Sequence, residues 1–210
     1  MSPGKSGRQK KFKHTHRKSS KLPLAIGLLI IITVVVAVVH VFSLDDDSGG
    51  STSSGGTVLL QTSLGNITIQ LRDDKPITTG NFKNLIEQGF YDGTIFHRVI
   101  ADFVVQGGQN TDVTVDTIAD EIGSDNHNYR GTVAMAKTSQ PNSATSQFFI
   151  NVANNNEIVY SDGTEFDETY TVFGTVTSGM DVVDAISSAE TDSDCLPLTD
   201  IVLIKAEIIS

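Results

Sequence analysis

One segment constrains this chain before any other: Leu22 to Leu44, LPLAIGLLIIITVVVAVVHVFSL, contains no Asp, Glu, Lys or Arg. About 20 apolar residues at 1.5 Å rise match the roughly 30 Å hydrocarbon core of a bilayer, so the run predicts a single transmembrane helix over 22–44. A cleaved secretory signal is the alternative. Against it, the apolar stretch exceeds the about 7–15 residues of such a signal, and no small-x-small cleavage site follows. The single cysteine, Cys195, is too distant to be a lipid-attachment site beside the run.

Charge orients the span. Eight of the 15 Lys and Arg precede it (Lys5, Arg8, Lys10, Lys11, Lys13, Arg17, Lys18 and Lys21), whereas all 25 Asp and Glu lie from Asp45 onward. The positive-inside rule makes residues 1–21 a basic cytoplasmic tail and places the acidic bulk outside the cell membrane. A basic stretch can also bind nucleic acid, but its juxtamembrane position favours a topology signal with some attraction to anionic lipid. The acidic remainder argues against a nucleic-acid partner, because neutralising phosphates takes clustered Lys and Arg. One cysteine excludes an intramolecular disulfide framework and any multi-cysteine zinc or iron–sulfur site. Residues 45–56, DDDSGGSTSSGG, cannot bury a core and read as a flexible linker. A folded domain is expected over 57–210.

Within that domain strand signals dominate. Val58–Gln61 and Asn66–Leu71 flank a Ser63-Leu64-Gly65 turn; Thr94–Ile100, Phe103–Gln106, Thr132–Ala136, Gln147–Val152, Thr171–Val176 and Ile201–Ile208 are further candidates. A helix capped by Thr78 or Thr79 runs through Gln88, with Phe82, Leu85 and Ile86 on one face; a second fits Met180–Ser188. Many short strands with two isolated helices suggest a closed antiparallel barrel. Asp112, Asp116, Asp120 and Glu121 lack calcium-loop spacing and read as a solvated acidic loop. No metal and no cofactor is expected.

At FHRVIADFVVQGGQ (Phe96–Gln109) the chain resembles a cyclophilin, the barrel-type peptidyl-prolyl cis-trans isomerase family. RGTVAMA (Arg130–Ala136), PNSATSQFFINV (Pro141–Val152), VFGTVTSGMDVVDAI (Val172–Ile186) and the terminal LPLTDIVLIKAEI continue the likeness in the family's order. MAKTSQPNSATSQFFINV looks more like the prokaryotic branch. The resemblance implies a mainly β fold, a closed eight-stranded antiparallel barrel capped by two helices. It also implies rotation about X–Pro bonds, a reaction needing no nucleophile, metal or proton transfer. What it needs is a donor to the imide nitrogen, whose lone pair localises as the bond twists out of plane.

The resemblance places Arg98 at the family's catalytic arginine, with Gln106 as its catalytic partner. Arg is suited to the task because it does not titrate. Strand periodicity puts Val104 and Gln106 on one side, and likewise Gln147 and Phe149. By resemblance Phe103, Val104 and Phe149 floor a proline pocket, although taken without the family they read as plain core. Ala136, Lys137 and Thr138 match the substrate-lining segment, Lys137 standing where Asn is commoner, and Tyr170 matches a pocket position. His97, one residue from Arg98, is expected to point away from it. Counting eight residues from Phe149 reaches Glu157, followed by Ile158, where many members carry an aromatic beside the pocket; the loop from Asn154 to Thr169 is expanded. The expected partners are Pro-containing segments of client proteins, among them exported or membrane proteins, and the bilayer through 22–44, for a monomer. A binding module of the same fold, docking Pro-containing segments with little turnover, is the competing reading.

Overall fold

Strand and turn propensities from Thr57 onward are realised as nine short strands and two helices. The computed structural model describes residues 55–210. The expected cytoplasmic tail and transmembrane helix, and the linker as far as Ser54, lie outside the described residues. Among the described residues no helix is long and apolar enough to cross a membrane.

The elements are β1 (Thr57–Thr62), β2 (Gly65–Leu71), α1 (Pro76–Glu87), β3 (Thr94–Ile95), β4 (Arg98–Ile100), β5 (Val104–Gly107), β6 (Thr132–Met135), β7 (Phe148–Asn151), β8 (Val172–Ser178), α2 (Met180–Ser187) and β9 (Val202–Ile208). They form one antiparallel sheet in the order β3-β9-β1-β2-β8-β6-β7-β5-β4. The expected closed eight-stranded barrel needs correcting: there are nine strands, and the hydrogen-bonded ladder does not close on itself. The strand expected over Thr94–Ile100 is broken at Phe96-His97. Its first part pairs with β9 and its second with β5, while the Phe96 N–H donates to the Ile201 carbonyl at 2.9 Å. The sheet thus curls until its two terminal strands are neighbours along the chain.

Alternation along the strands divides the apolar residues between two faces. Val105, Val133, Met135, Phe148, Ile150 and Phe173 enter the main core. There Phe82 of α1 meets Tyr91, Phe148 and Phe173 at ring-centroid distances of 5.1, 5.5 and 5.0 Å. Val183 and Ile186 bring α2 into the same cluster. Their alternating neighbours, Val104, Ala134, Phe149 and Val172, belong to a second and smaller cluster on the opposite face. At the end of β5, Gly108 has φ +78°, and a Cβ there would lie 2.9 Å from the Ser146 carbonyl and from the Tyr91 ring, so only glycine fits.

Neither expected threonine caps α1. The helix begins at Pro76, which has no N–H to leave unsatisfied. The Glu121 carboxylate supplies the cap from 43 residues away, accepting the Thr78 N–H at 2.8 Å, the Thr78 hydroxyl at 2.7 Å and the Ile77 N–H at 3.1 Å. Asp120 beside it is 2.6 Å from Lys137 Nζ, both side chains largely buried, and also accepts the Asn142 N–H. Asp120 and Glu121 are therefore anchors, while Asp112 and Asp116 are exposed as expected of an acidic loop.

Candidate active site

Register builds the site from one row of residues. Arg98 on β4 pairs with Gln106 on β5, Gln106 with Phe149 on β7, Phe149 with Ala134 on β6, and Ala134 with Val172 on β8. Cross-strand partners stand about 4.5–5.5 Å apart with side chains on the same face. A polar end, Arg98 and Gln106, is thereby joined to an apolar floor. Val104, two residues before Gln106, and Phe103 flank it. A cavity of about 470 Å³ lies over the row, lined by Arg98, Phe103, Val104, Gln106, Ala136, Lys137 and Phe149, with Tyr160, Phe166 and Tyr170 across from them.

Hydrogen bonds fix the polar end. Arg98 Nη1 donates to Gln106 Oε1 at 3.3 Å. Since guanidinium only donates, the Gln106 oxygen must face it and the amide nitrogen must face the other way. That nitrogen donates to Gln147 Oε1 at 2.9 Å and approaches His97 Nε2 at 3.5 Å. The amide nitrogen can donate to His97 Nε2 when that ring nitrogen carries no proton. Burial lowers the His97 pKa, the Arg98 charge lowers it further, and contacts with Gln147 and the Ile95 backbone oppose the shift in part. Nδ1 itself is buried with no partner in hydrogen-bonding geometry. His97 does not point away from the site as strand alternation predicts, because the strand is interrupted at that residue. It joins Gln106 and Gln147 instead.

Arg98 has no carboxylate partner among the described residues, unlike Arg72, Lys75, Arg130, Lys137 and Lys205. A guanidinium held at one edge by a neutral amide keeps its remaining N–H groups available to a ligand in the cavity.

The wall opposite comes from the expanded β7–β8 loop. Phe166, 2% exposed, packs against Phe103, Phe149 and Tyr170 with centroids at 5.6, 5.9 and 4.7 Å. Neither Glu157 nor Ile158 is among the residues lining the cavity. Glu157 is exposed, and the Ile158 carbonyl accepts the Phe166 N–H at 2.9 Å, so Ile158 holds the ring that lines the cavity without lining it itself. Counting along an inserted loop could not reveal Phe166 or Tyr160, since no periodicity ties them to the sheet.

A chain of buried asparagines secures this wall. Asp167 Oδ1 accepts the Asn128 N–H and side-chain amide; Asn151 Nδ2 donates to Asn128 Oδ1 at 3.1 Å; Asn155 Nδ2 donates to Asn151 Oδ1 at 2.7 Å and to the Phe103 carbonyl at 2.9 Å. Asn126 Nδ2 holds the Asp167 and Tyr170 carbonyls. The loop carrying Phe166 and the turn carrying Phe103 are thus tied through side-chain amides.

Of the residues singled out in the sequence, Arg98, Phe103, Val104, Gln106, Ala136, Lys137, Phe149 and Tyr170 meet at one cavity. Thr138 and Gln147 line an adjoining pocket of about 180 Å³ with Ser143 and Thr145, sharing Gln106, Ala136 and Lys137 with the first. Ile158 stands behind them. Among the described residues no group of three or more His, Cys, Asp or Glu side chains is placed to hold a metal ion.

A curled antiparallel sheet bearing an outward arginine–glutamine–phenylalanine row defines a class of fold and site that the comparisons with known proteins identify. The model of the cyclophilin type peptidyl-prolyl cis-trans isomerase/CLD family matches residues 57–208, and the chain belongs to that family. It is similar to a peptidyl-prolyl cis-trans isomerase of Acinetobacter baylyi, 47% identical over 142 residues covering 65% of this chain and 74% of the relative. It is also similar to peptidyl-prolyl cis-trans isomerase A of Dickeya dadantii, 44% identical over 162 residues, 72% of this chain and 84% of the relative. A crystal structure of a Cryptosporidium parvum cyclophilin type isomerase, determined in the presence of the dipeptide Ala-Pro, superposes with TM-score 0.63 at 27% identity, covering 73% of this chain and 99% of that one.

Proposed function

We propose that this chain accelerates rotation about X–Pro peptide bonds of client polypeptides, and that residues 22–44 tether it to the outer face of the cell membrane, where exported and membrane proteins fold. The uncatalysed rotation takes about 10–100 s at 25 °C. Reaching milliseconds means removing about four decades, or roughly 5–6 kcal/mol of barrier. A proline ring laid on Phe103, Val104 and Phe149 sits beside Arg98. As the imide twists, its nitrogen gains a lone pair that a guanidinium N–H can meet, an interaction present only in the transition state. Gln106 keeps the guanidinium at one angle, and the backbone of Ala136, Lys137 and Thr138 offers groups for the peptide main chain.

The observation that carries this reading is the Arg98 guanidinium, free of any carboxylate among the described residues and directed over an apolar floor. The test is cis-to-trans isomerisation of a proline peptide by the full chain in mild detergent, beside Arg98→Ala and Arg98→Lys. Loss of one oriented donor predicts a fall of about 10²–10³ in kcat/KM for Arg98→Ala. Arg98→Lys recovers little of it, because an ammonium does not reproduce the planar fork. Absence of any rate above background with peptide binding intact would make the domain a binding module. The tether rests on the apolar run and the charge asymmetry around it; protease added to intact cells is expected to remove the domain and leave the basic tail protected.

A further inference from the structure

The expanded β7–β8 loop does more than carry Phe166. Its outer part is a small hairpin, with Val159 bridging Glu165, the Tyr160 N–H donating to the Thr164 carbonyl at 2.9 Å and the Gly163 N–H to the Tyr160 carbonyl at 2.9 Å. Its root is held by the Ile158–Phe166 bond and by Asn126. Tyr160 is therefore a placed side chain. It lines the cavity over Arg98 and also a second cavity of about 390 Å³, whose walls include Lys137, Thr138, Asp162 and Tyr170.

Where the two cavities join, Tyr160 Oη and Tyr170 Oη are 3.2 Å apart. Tyr160 Oη donates to Tyr170 Oη, so of the two protons at that contact the Tyr170 O–H is the one left over. Lys137, the other donor at the junction, is already paired with Asp120. The Tyr170 hydroxyl, which lines both cavities, thus has its proton available to whatever enters the groove, and being hydrogen-bonded itself it is the stronger donor for it. Burial, helped by the Tyr170 hydroxyl, pushes Tyr160 ionisation above the ordinary tyrosine range. At 38% exposed, Tyr160 is still reachable by a ligand.

We propose that the second cavity is a subsite for the peptide main chain flanking the X–Pro bond on the side away from Gln106 and Gln147. Tyr160 is its specificity-determining residue, because it holds the Tyr170 hydroxyl whose O–H gives a hydrogen bond to a backbone carbonyl of the client. This rests on the isomerase reading of the adjoining cavity. It makes the enzyme sensitive to peptide length on one side of the proline, through residues of the β7–β8 loop.

Tyr160→Phe removes one oxygen and leaves the ring contacts intact. The full-length protein and this variant are compared on one proline peptide extended on both sides of the X–Pro bond and on a set shortened from either end. Tyr160→Phe is expected to lower kcat/KM for the extended peptide about threefold to tenfold, the range of one neutral hydrogen bond. The loss should vanish for the peptide shortened on one side, and Tyr170→Phe should not add to it fully. Equal losses on every peptide, or no loss on any, would overturn the proposal. Calorimetric affinity for the same peptides gives a second readout: a length-dependent loss in Tyr160→Phe supports the subsite even if the wild-type chain shows no turnover, an outcome that would overturn the isomerase reading alone.

Discussion

Replacing Asn151 by Ala tests whether the asparagine chain holds the site together. Asn151 is fully buried on β7, opposite Val104. Its amide donates to Asn128 Oδ1 and to Thr132 Oγ1, and its oxygen accepts from Asn155. Truncation orphans Asn128 Oδ1 and one N–H of Asn155, two groups at 0% and 2% exposure, whereas Thr132 keeps its bond to the Tyr129 carbonyl and reaches solvent. Each buried polar group left unpaired costs about 1–3 kcal/mol, so Asn151→Ala should lose about 2–6 kcal/mol of stability. For a domain of this size about 2–4 °C of Tm follows each kcal/mol, and a fall of roughly 4–24 °C is expected. Urea and thermal denaturation measure it, with Asn154→Ala as the control. Asn154 is exposed and accepts only the Arg130 N–H, so its loss should stay below about 1 kcal/mol. If the two variants unfold within 0.5 kcal/mol of each other (about the scatter expected for surface substitutions), the amide chain is not a support of the site and the reasoning fails.

Two other outcomes follow from the geometry. Glu121→Ala strips the cap of α1 and should cost about 1–2 kcal/mol in a denaturant titration, with Glu121→Gln recovering part of it. His97 has a folded-state pKa below its unfolded value near 6.5, so the unfolded chain takes up its proton first. Stability should therefore fall as pH drops from about 6.5 toward the lowered folded pKa and level off beneath it. His97→Gln should flatten that segment of the urea-midpoint curve. Protonated His97 also cannot accept from Gln106, so kcat/KM should decline over the same acid window in wild type and less in the variant.

How much of this was legible beforehand depends on what encodes each part. Gln106, Val104 and Phe149 could be placed on one face because alternation in a strand is local and has period two. Resemblance to the family supplied what periodicity could not, that this face bears a site instead of plain core. Alternation misled at His97 because it presumes an unbroken strand, and the chain changes pairing partner there. The cap on α1 was misassigned to the threonines at hand, since the group that makes it lies 43 residues away in a loop without a pattern. Phe166 and Tyr160 lie in the β7–β8 loop, whose residues carry no period relative to the sheet, so neither was singled out although both line the cavity. What the sequence hides in each case is a contact between segments whose separation carries no period.

The broken strand at Phe96-His97 has a consequence for any extended polypeptide that reaches the site. Extended segments seek unpaired backbone, and an open sheet margin would invite them to add on and recruit further copies. Here both margins of the sheet belong to one stretch of chain that turns directly from one to the other, and the outward Val99 N–H at its catalytic end is already occupied by the Cys195 carbonyl at 2.8 Å. The domain can hold an extended polypeptide against its side chains at Arg98 while presenting little ladder for it to extend.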